Sequence, residues 1–304
     1  MPVRFYHLGH RLESYRAAAL SLQHMAFDGE RIWRLVAVRS LLGSVVLLVG
    51  LGCRPGINYA DPASPGYADS ARVINNPGRH DTLRIVSFNI EYAREVGRAA
   101  HVLKTATELR DADVILLQEM TAPATKLLAD SLRMGYVYYP AIYNRIMRRD
   151  IGNAILSRWP IAEDSKLVLP MRSRYARTQR IATAATIKVR GEDIRLYSTH
   201  FGTPADLGWK GRVEQLRAIL DDAASYRLVV IGGDMNSKDI GRIAREAGYL
   251  WPTDTIPRSN DFGRLDHFFV RGLVTPRVTG VGTYRVQRSV SDHNPIWIRL
   301  YYDG

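Results

Sequence analysis

The sequence predicts a layered α/β fold, a four-layer sandwich in which two mixed β-sheets pack face to face with helices over their outer surfaces. Three observations lead there. Short apolar runs of strand length recur along the chain, segments with helical spacing fall between them, and one pair of runs is joined by a turn short enough for a hairpin. A purely parallel, doubly wound sheet would alternate strand and helix without such a hairpin. With 304 residues and 46% hydrophobic content the chain can bury a large core.

Taken in order, the first feature is the run Leu41 to Gly52 (LLGSVVLLVGLG), preceded by Arg31, Arg34 and Arg39 and followed by Cys53, the one cysteine of the chain. A basic flank, an apolar stretch and a small residue make the layout of a secretory leader. The run is short for a membrane span, since a helix rises about 1.5 Å per residue and the hydrocarbon core is about 30 Å thick. Ending in Leu51-Gly52-Cys53, it resembles a bacterial lipoprotein signal, which implies an exported protein, periplasmic or anchored to the membrane through Cys53. Gly50 departs from the usual Leu of such signals, and Met25 would be a start giving a leader of ordinary length. The competing reading is a buried apolar helix with an incidental cysteine. One cysteine also excludes an internal disulfide and a Cys-rich zinc site.

From Arg54 to Asp81 the chain is rich in Pro, Gly, Asn and Asp and shows no periodicity, so it reads as a linker. The expected organisation is therefore a leader or anchor over 1–53, a linker over 54–81 and one domain over 82–304. Within that domain, Leu83 to Phe88, Val114 to Leu117, Ala154 to Leu156, Leu228 to Ile231, Phe268 to Val270 and Ile296 to Leu300 read as buried strands. Ile181 to Val189 and Ile194 to Thr199 read as half-exposed strands joined by a turn at Arg190-Gly191-Glu192-Asp193. Val96, Ala99, Ala100, Leu103 and Ala106 share one helical face, and Val213, Leu216, Leu220 and Ala223 another.

Strand after strand ends in a side chain that can ligate a metal or move a proton. Phe88 runs into Asn89, Leu117 into Gln118-Glu119, Thr199 into His200, and Ile231 into Gly232-Gly233-Asp234-Met235-Asn236. Asp266-His267 follows Arg264-Leu265, and Ser291-Asp292-His293-Asn294 precedes the last strand. Singly, each has a bland explanation: a cap, a solvated strand end, a satisfied histidine. Jointly, with few other ionisable residues inside the apolar runs, they predict one cleft at a common sheet edge.

The residue types suit one chemistry. Carboxylate and amide oxygens without a thiol favour Mg²⁺ or Mn²⁺ over zinc. Hydrolysis of a phosphoester needs an activated water, compensation for charge on the phosphoryl oxygens and help for the leaving group, which a carboxylate, a metal and a histidine supply. The glycines before Asp234 let the backbone turn tightly beneath it. A G-x-S-x-G elbow, an H-E-x-x-H pair and a P-loop are all missing from the sequence, so serine-hydrolase, zinc-protease and nucleoside-triphosphatase readings lack their residues.

The endings resemble the motif set of the endonuclease/exonuclease/phosphatase superfamily, whose members include DNase I, exonuclease III-type abasic-site nucleases, neutral sphingomyelinases and inositol polyphosphate 5-phosphatases. The likeness runs from Thr82 to Tyr302 through Ser87-Phe88-Asn89-Ile90, Leu117-Gln118-Glu119, Gly152 to Arg158 (GNAILSR), Ser198-Thr199-His200, Gly232 to Asn236 (GGDMN), Arg264 to His267 (RLDH) and Ser291 to Pro295 (SDHNP). It implies a DNase I-like four-layer sandwich. It further implies that Glu119 holds the cation with Asn89 and Asp292 nearby, and that Asp234 orients or deprotonates the attacking water. Asn236 would bond the scissile phosphate, and His293, oriented by Asp266, would stabilise its charge. His200 would act from the other side. Exonuclease III-type enzymes carry tyrosine where His200 stands, and an exported protein has no genome to repair, so the resemblance points away from abasic-site repair.

The formal charge is +12, and all but six of the 42 basic residues are Arg, which suits bidentate contacts to phosphate. Arg145, Arg148 and Arg149 precede Gly152, and Arg172, Arg174, Arg177 and Arg180 surround Tyr175. These stretches either track a phosphate backbone, with Tyr143 or Tyr175 stacking on a base, or form solvated loops. Arg180, at the start of a strand, is the one expected to reach the phosphate. The first expectation is a nuclease acting on DNA or RNA as a monomer. A sphingomyelinase-like phosphodiesterase would need an apolar wedge at the cleft mouth, for which the sequence offers only Trp209 within Gly202 to Arg212. A phosphomonoesterase on sugar or inositol phosphates is a third reading, and a non-catalytic binding module would have lost some of these residues.

Overall fold

Alternate residues of the central strands are buried on opposite faces, which requires apolar layers on both sides of a sheet. In β3 (Thr82–Asn89), Leu83 and Ile85 point into one core while Val86 and Phe88 point into another. In β10 (Leu228–Asp234), Leu228 and Val230 join the first core and Val229 and Ile231 a third. The first core lies between two sheets, and the other two lie beneath helices.

The computed structural model describes residues 56–69, 82–274 and 280–301. The expected leader, including Cys53, lies outside them, as do residues 54–55 and 70–81 of the expected linker. Among the described residues no helix is long and apolar enough to cross a membrane. The larger sheet runs β1 (Gly56–Asn58), β5 (Gly135–Asn144), β6 (Arg149–Ser157), β4 (Val114–Met120), β3, β13 (Ile296–Tyr301), β12 (Val281–Thr283), with β2 (Tyr67–Asp69) also on β5. The smaller sheet runs β11 (Asp266–Arg271), β10, β9 (Glu192–His200), β8 (Ile181–Val189), β7 (Ile161–Val168). Each sheet is mixed: β3 with β4 and β9 with β10 are parallel within otherwise antiparallel ladders. Helices α1 (Val96–Thr105) and α2 (Ala122–Leu132) cover the larger sheet. Helices α3 (Trp209–Asp222) and α4 (Gly241–Glu246) cover the smaller one. The result is the four-layer α/β sandwich.

The turn after β8 closes at Arg190 and Gly191, with φ of 54° and 89°, and Val189 pairs directly with Glu192. Two left-handed residues make the two-residue hairpin that follows the strand twist, so the turn is shorter than the four residues expected.

The linker expected over 54–81 is corrected for its described part. Residues 56–58 and 67–69 are strands, antiparallel to β5. Strands of three residues carry no period for the sequence to display, and they are held by edge hydrogen bonds rather than by an apolar face. Strand β5 and helix α2 also have no counterpart among the expected elements. The first breaks its alternation at Pro140, beside a shift of register against β6. The second buries Ala124, Thr125, Leu128 and Ala129, too small and too polar a face to stand out.

Candidate active site

One rung of the smaller sheet carries three of the functional side chains. His200 ends β9, Asp234 ends β10 and Asp266 begins β11. Asp234 lies opposite His200 in the parallel ladder and opposite Asp266 in the antiparallel one. Neighbours on one rung project from one face, so these groups meet by register alone. Before Asp234, Gly233 has φ of 147° and passes so close to β9 that a Cβ would stand 1.9 Å from the Thr199 carbonyl oxygen. Only glycine allows that approach.

The larger sheet brings the partners. Asn89 ends β3. Near the end of β4 the register shifts between Leu117 and Met120, and Glu119 sits at φ of 58°. This irregularity re-aims Glu119 toward the cleft. Its neighbour Gln118 turns between the sheets and donates to Ser198 Oγ at 3.0 Å, while that hydroxyl donates to the Leu117 carbonyl at 2.9 Å. Ser291, ahead of β13, donates to the Asn89 carbonyl at 2.7 Å, and its oxygen accepts the His293 N–H at 3.1 Å. The C-terminal loop is thereby docked onto the end of β3.

The side chains converge on Asp234. Its Oδ2 accepts from Asn89 Nδ2 at 3.2 Å and lies 3.4 Å from His200 Nε2 and 3.7 Å from His293 Nε2. Its Oδ1 accepts the Asn236 N–H at 2.9 Å. His293 Nδ1 is 2.8 Å from Asp266 Oδ2, and His200 Nδ1 is 3.7 Å from Glu119 Oε1. Glu119 Oε2 accepts the Tyr92 N–H at 2.9 Å. Asn236 donates from Nδ2 to the Phe201 carbonyl at 3.1 Å, which fixes its amide and leaves one N–H of Nδ2 for a substrate. Asn89, His200, Asp234, Asn236, Asp266 and His293 are all buried, and the Glu119 side chain is 13% exposed.

Burial controls the electrostatics. It pushes the Asp234 carboxyl up to about 7, with Asp266 and Glu119 adding to the effect and His293 and the Asn236 N–H opposing it. Burial likewise raises Glu119, against Arg180 and His293. For His200 burial dominates, aided by Arg180 and His293, and holds the ring well below its usual value and hence neutral. His293 is different. Burial disfavours its charge, but Asp266, Asp234 and Asp292 outweigh that and raise it to about 10.

Arg180 stands on the wall of a cleft of about 210 Å³ with Tyr92, Glu119, Asn153 and His200. Asn144 and Ala176, the sequence neighbours of Arg145 and Arg177, line the same cleft, but of the two arginine-rich stretches only Arg180 does so itself. Asp292 stands at the rim, its side chain 43% exposed and 4.0 Å from the Arg288 guanidinium, and its charge adds to the raising of Glu119.

Sequence reasoning missed Asn260. Its Oδ1 accepts the N–H groups of Phe262 and Gly263 at 2.9 and 3.0 Å, which aims Nδ2 at His293 Nε2, 3.2 Å away. That donor favours an accepting Nε2 and so opposes the pull of the three carboxylates. In the sequence Asn260 is one of many loop asparagines, with nothing to distinguish it. Tyr92, whose N–H holds Glu119, lies in a 3-10 turn (Glu91–Ala93) at φ of 58° and gave no signal either.

The donors fit a divalent cation. Glu119 is an acid kept from water with a single backbone N–H on one oxygen, and a cation would offset the burial that raises it. Asp234, Asp266 and His293 form a second group with ligand atoms within 4.8 Å of one another. There Asp266 Oδ2 is committed to His293 Nδ1 and Asp234 to Asn89 and the Asn236 N–H, which leaves Asp266 Oδ1 buried without a partner among the described residues.

Residues 86–293 match the model of the Endonuclease/Exonuclease/phosphatase family. The chain belongs to that family of phosphoester hydrolases, a family that is divalent-metal dependent. No curated protein matches the sequence. Among solved structures, a family protein from Leptotrichia buccalis C-1013-b is 17% identical with a TM-score of 0.60, covering 72% of this chain and 100% of its own. One from Bacteroides vulgatus is 16% identical with a TM-score of 0.59, covering 73% of this chain and 99% of its own. A D. rerio TDP2 complexed with single strand DNA product is 16% identical with a TM-score of 0.56, covering 73% of this chain and 99% of its own. At such identities these likenesses establish the fold.

Proposed function

We propose that the chain is a divalent-metal-dependent phosphodiester hydrolase that cuts DNA or RNA. The observation that carries the reading is the buried ring of Asn89, Glu119, His200, Asp234 and His293, whose contacts run from 3.2 to 3.7 Å around Asp234 and Glu119. In this reading Glu119 would hold Mg²⁺ or Mn²⁺, with Asn89 beside it and Asp292 at the rim. When bound, the cation supplies charge compensation to the phosphoryl oxygens. Asp234, raised toward neutrality and able to accept at Oδ2, orients and deprotonates the attacking water. His293, held at Nδ1 by Asp266, presents Nε2 to the developing negative charge, and the fixed amide of Asn236 donates to the same phosphoryl group. Neutral His200 faces it from the Glu119 side, and Arg180 binds the phosphate from the cleft wall.

Nucleic acid as substrate is supported by Arg180 on the cleft wall, by arginines adjoining the lining residues Asn144 and Ala176 in sequence, by exposed Tyr175 and by the structural likeness to a TDP2 that holds single strand DNA product. One observation favours a second reading. Ile146, Tyr175 and Phe262 are 82%, 74% and 79% exposed, the first two beside the arginine stretches and the third two residues from Asn260. Such tips would suit an anionic lipid surface and a phospholipid substrate. Residues 1–53 are proposed as an export leader and membrane anchor.

The test is hydrolysis of plasmid DNA, RNA, sphingomyelin vesicles and small phosphoesters with and without chelator. Metal-dependent cutting of nucleic acid is expected, abolished in Asp234→Asn. Full activity in that variant would overturn the role of Asp234, and turnover of lipid alone would select the second reading.

A further inference from the structure

The family match begins at residue 86, yet the chain before it backs a strand that lines the cleft. Strand β1 lies on β5 with Gly56 opposite Asn144 and Asn58 opposite Ile142, and both of those β5 residues line the cleft. From the end of β1 the Asn58 side chain reaches the loop that leads into β8. Its Oδ1 accepts the Gln179 N–H at 2.8 Å, and its Nδ2 donates to the Arg177 carbonyl at 2.9 Å. These bonds hold the backbone on either side of Thr178, and Arg180 is the next residue but one.

The loop has reason to need holding. Arg177 sits at φ of 54°, a left-handed conformation that costs an arginine about 1 kcal/mol or more. Within the loop, the Ser173 N–H donates to the Thr178 carbonyl at 3.0 Å and the Ser173 hydroxyl accepts the Thr178 N–H at 3.0 Å. Asn58 ties this unit to the other sheet, while just beyond it the Arg180 carbonyl accepts the Leu169 N–H at 2.9 Å and the Ile181 carbonyl accepts from Asn153 of β6 at 2.9 Å. The segment bearing Asn58 is anchored in turn. The buried Lys166 ammonium of β7 donates to the carbonyls of Tyr59 and Ser64 at 3.2 and 2.6 Å, and the Tyr59 hydroxyl donates to Asp150 of β6 at 2.7 Å. Residues 56–69 thus join both sheets at the cleft mouth.

We propose that Asn58 is a positioning residue, clamping the backbone around Thr178 so that Arg180 is held against the phosphate. This rests on the phosphodiesterase reading above, since it needs a phosphate for Arg180 to meet. A guanidinium recognises phosphate through a planar fork, and loosening its backbone anchor by a fraction of an ångström weakens substrate capture more than the chemical step.

The experiment uses the full chain and bis(p-nitrophenyl) phosphate, a minimal phosphodiester without bases or acyl chains, alongside a single-stranded oligonucleotide. Asn58→Ala, Arg180→Ala and the double variant are compared for KM and kcat, with hydrogen exchange at the Gln179 amide. Asn58→Ala is expected to raise KM about tenfold with kcat within about twofold. The double variant should be no worse than Arg180→Ala, the non-additivity of residues acting as one unit. Gln179 exchange should quicken in Asn58→Ala while the melting temperature holds. An unchanged KM, or effects of the two substitutions that multiply, would overturn the inference. Cleavage of the minimal diester but not the oligonucleotide would remove the nucleic-acid reading and leave the clamp measurable. Cleavage of neither would remove the phosphodiesterase reading and the inference with it.

Discussion

Asp266 holds His293 through one 2.8 Å hydrogen bond between buried partners, so changing its charge alone leaves the shape of the site intact. Asp266→Asn should lower kcat about 100-fold with KM within a few-fold, because the amide no longer fixes the Nδ1–H form of the ring or balances its charge. Steady-state kinetics on the diester that the wild type cleaves would measure this, and an equal loss in KM would point instead to ground-state binding. The charge of His293 is set by three carboxylates and opposed by burial and by Asn260. Asp266 and His293 stood out in the sequence because ionisable residues at strand ends are conspicuous. Asn260 did not, since an amide that works through geometry leaves no trace in composition.

At the scale of the element, Gly233 and Gly191 both have positive φ, for different reasons. Gly233→Ala puts a Cβ 1.9 Å from the Thr199 carbonyl oxygen, and the strand pair that aligns Asp234 with His200 must part to admit it. A loss of about 3 kcal/mol or more is expected, with activity falling alongside. Gly191→Ala meets nothing within 4 Å and should cost only the backbone strain, about 1 kcal/mol. Chemical denaturation of the two variants tests the contrast, and equal losses would contradict it. The bulge at Glu119 belongs to this scale too. An ideal strand would send Gln118 and Glu119 to opposite faces, and the irregular turn of the backbone lets one reach Ser198 while the other reaches the cleft.

For the whole molecule, buried histidines tie stability to pH. His267 accepts from the Trp251 indole N–H at 3.1 Å and donates from Nε2 to the Ser237 carbonyl at 2.8 Å, and burial pulls it down to about 4. Unfolded, it takes a proton near its ordinary 6.5; folded, it stays neutral until about 4. Its contribution is therefore whole above pH 6.5 and lost as pH falls toward 4, about 3 kcal/mol in all at 1.36 kcal/mol per pH unit. His293 has the reverse sign: its contribution is whole below 6.5 and lost as pH rises toward 10. Urea denaturation from pH 4 to 7 should show the acid slope, flattened in His267→Gln. A slope unchanged in that variant would assign the acid loss to other groups. Chelation should lower the melting temperature at pH 7.5 by several degrees, by mass action on the folded state, and Glu119→Gln should remove most of that response.

The sequence by itself determined the layers and singled out the polar side chains that end the apolar runs, though not Asn260 or Tyr92. Apolar runs buried on both faces demand two sheets with helices outside them, and the side chains that end those runs could be picked out one by one. Tertiary structure alone decided how those ends meet. The rung shared by His200, Asp234 and Asp266 depends on the pairing register of strands far apart in sequence, and periodicity within a strand carries no information about register between strands. The same holds for residues 56–69, which read as a linker because their order comes from hydrogen bonds to β5, Lys166 and Gln179 rather than from any pattern of their own.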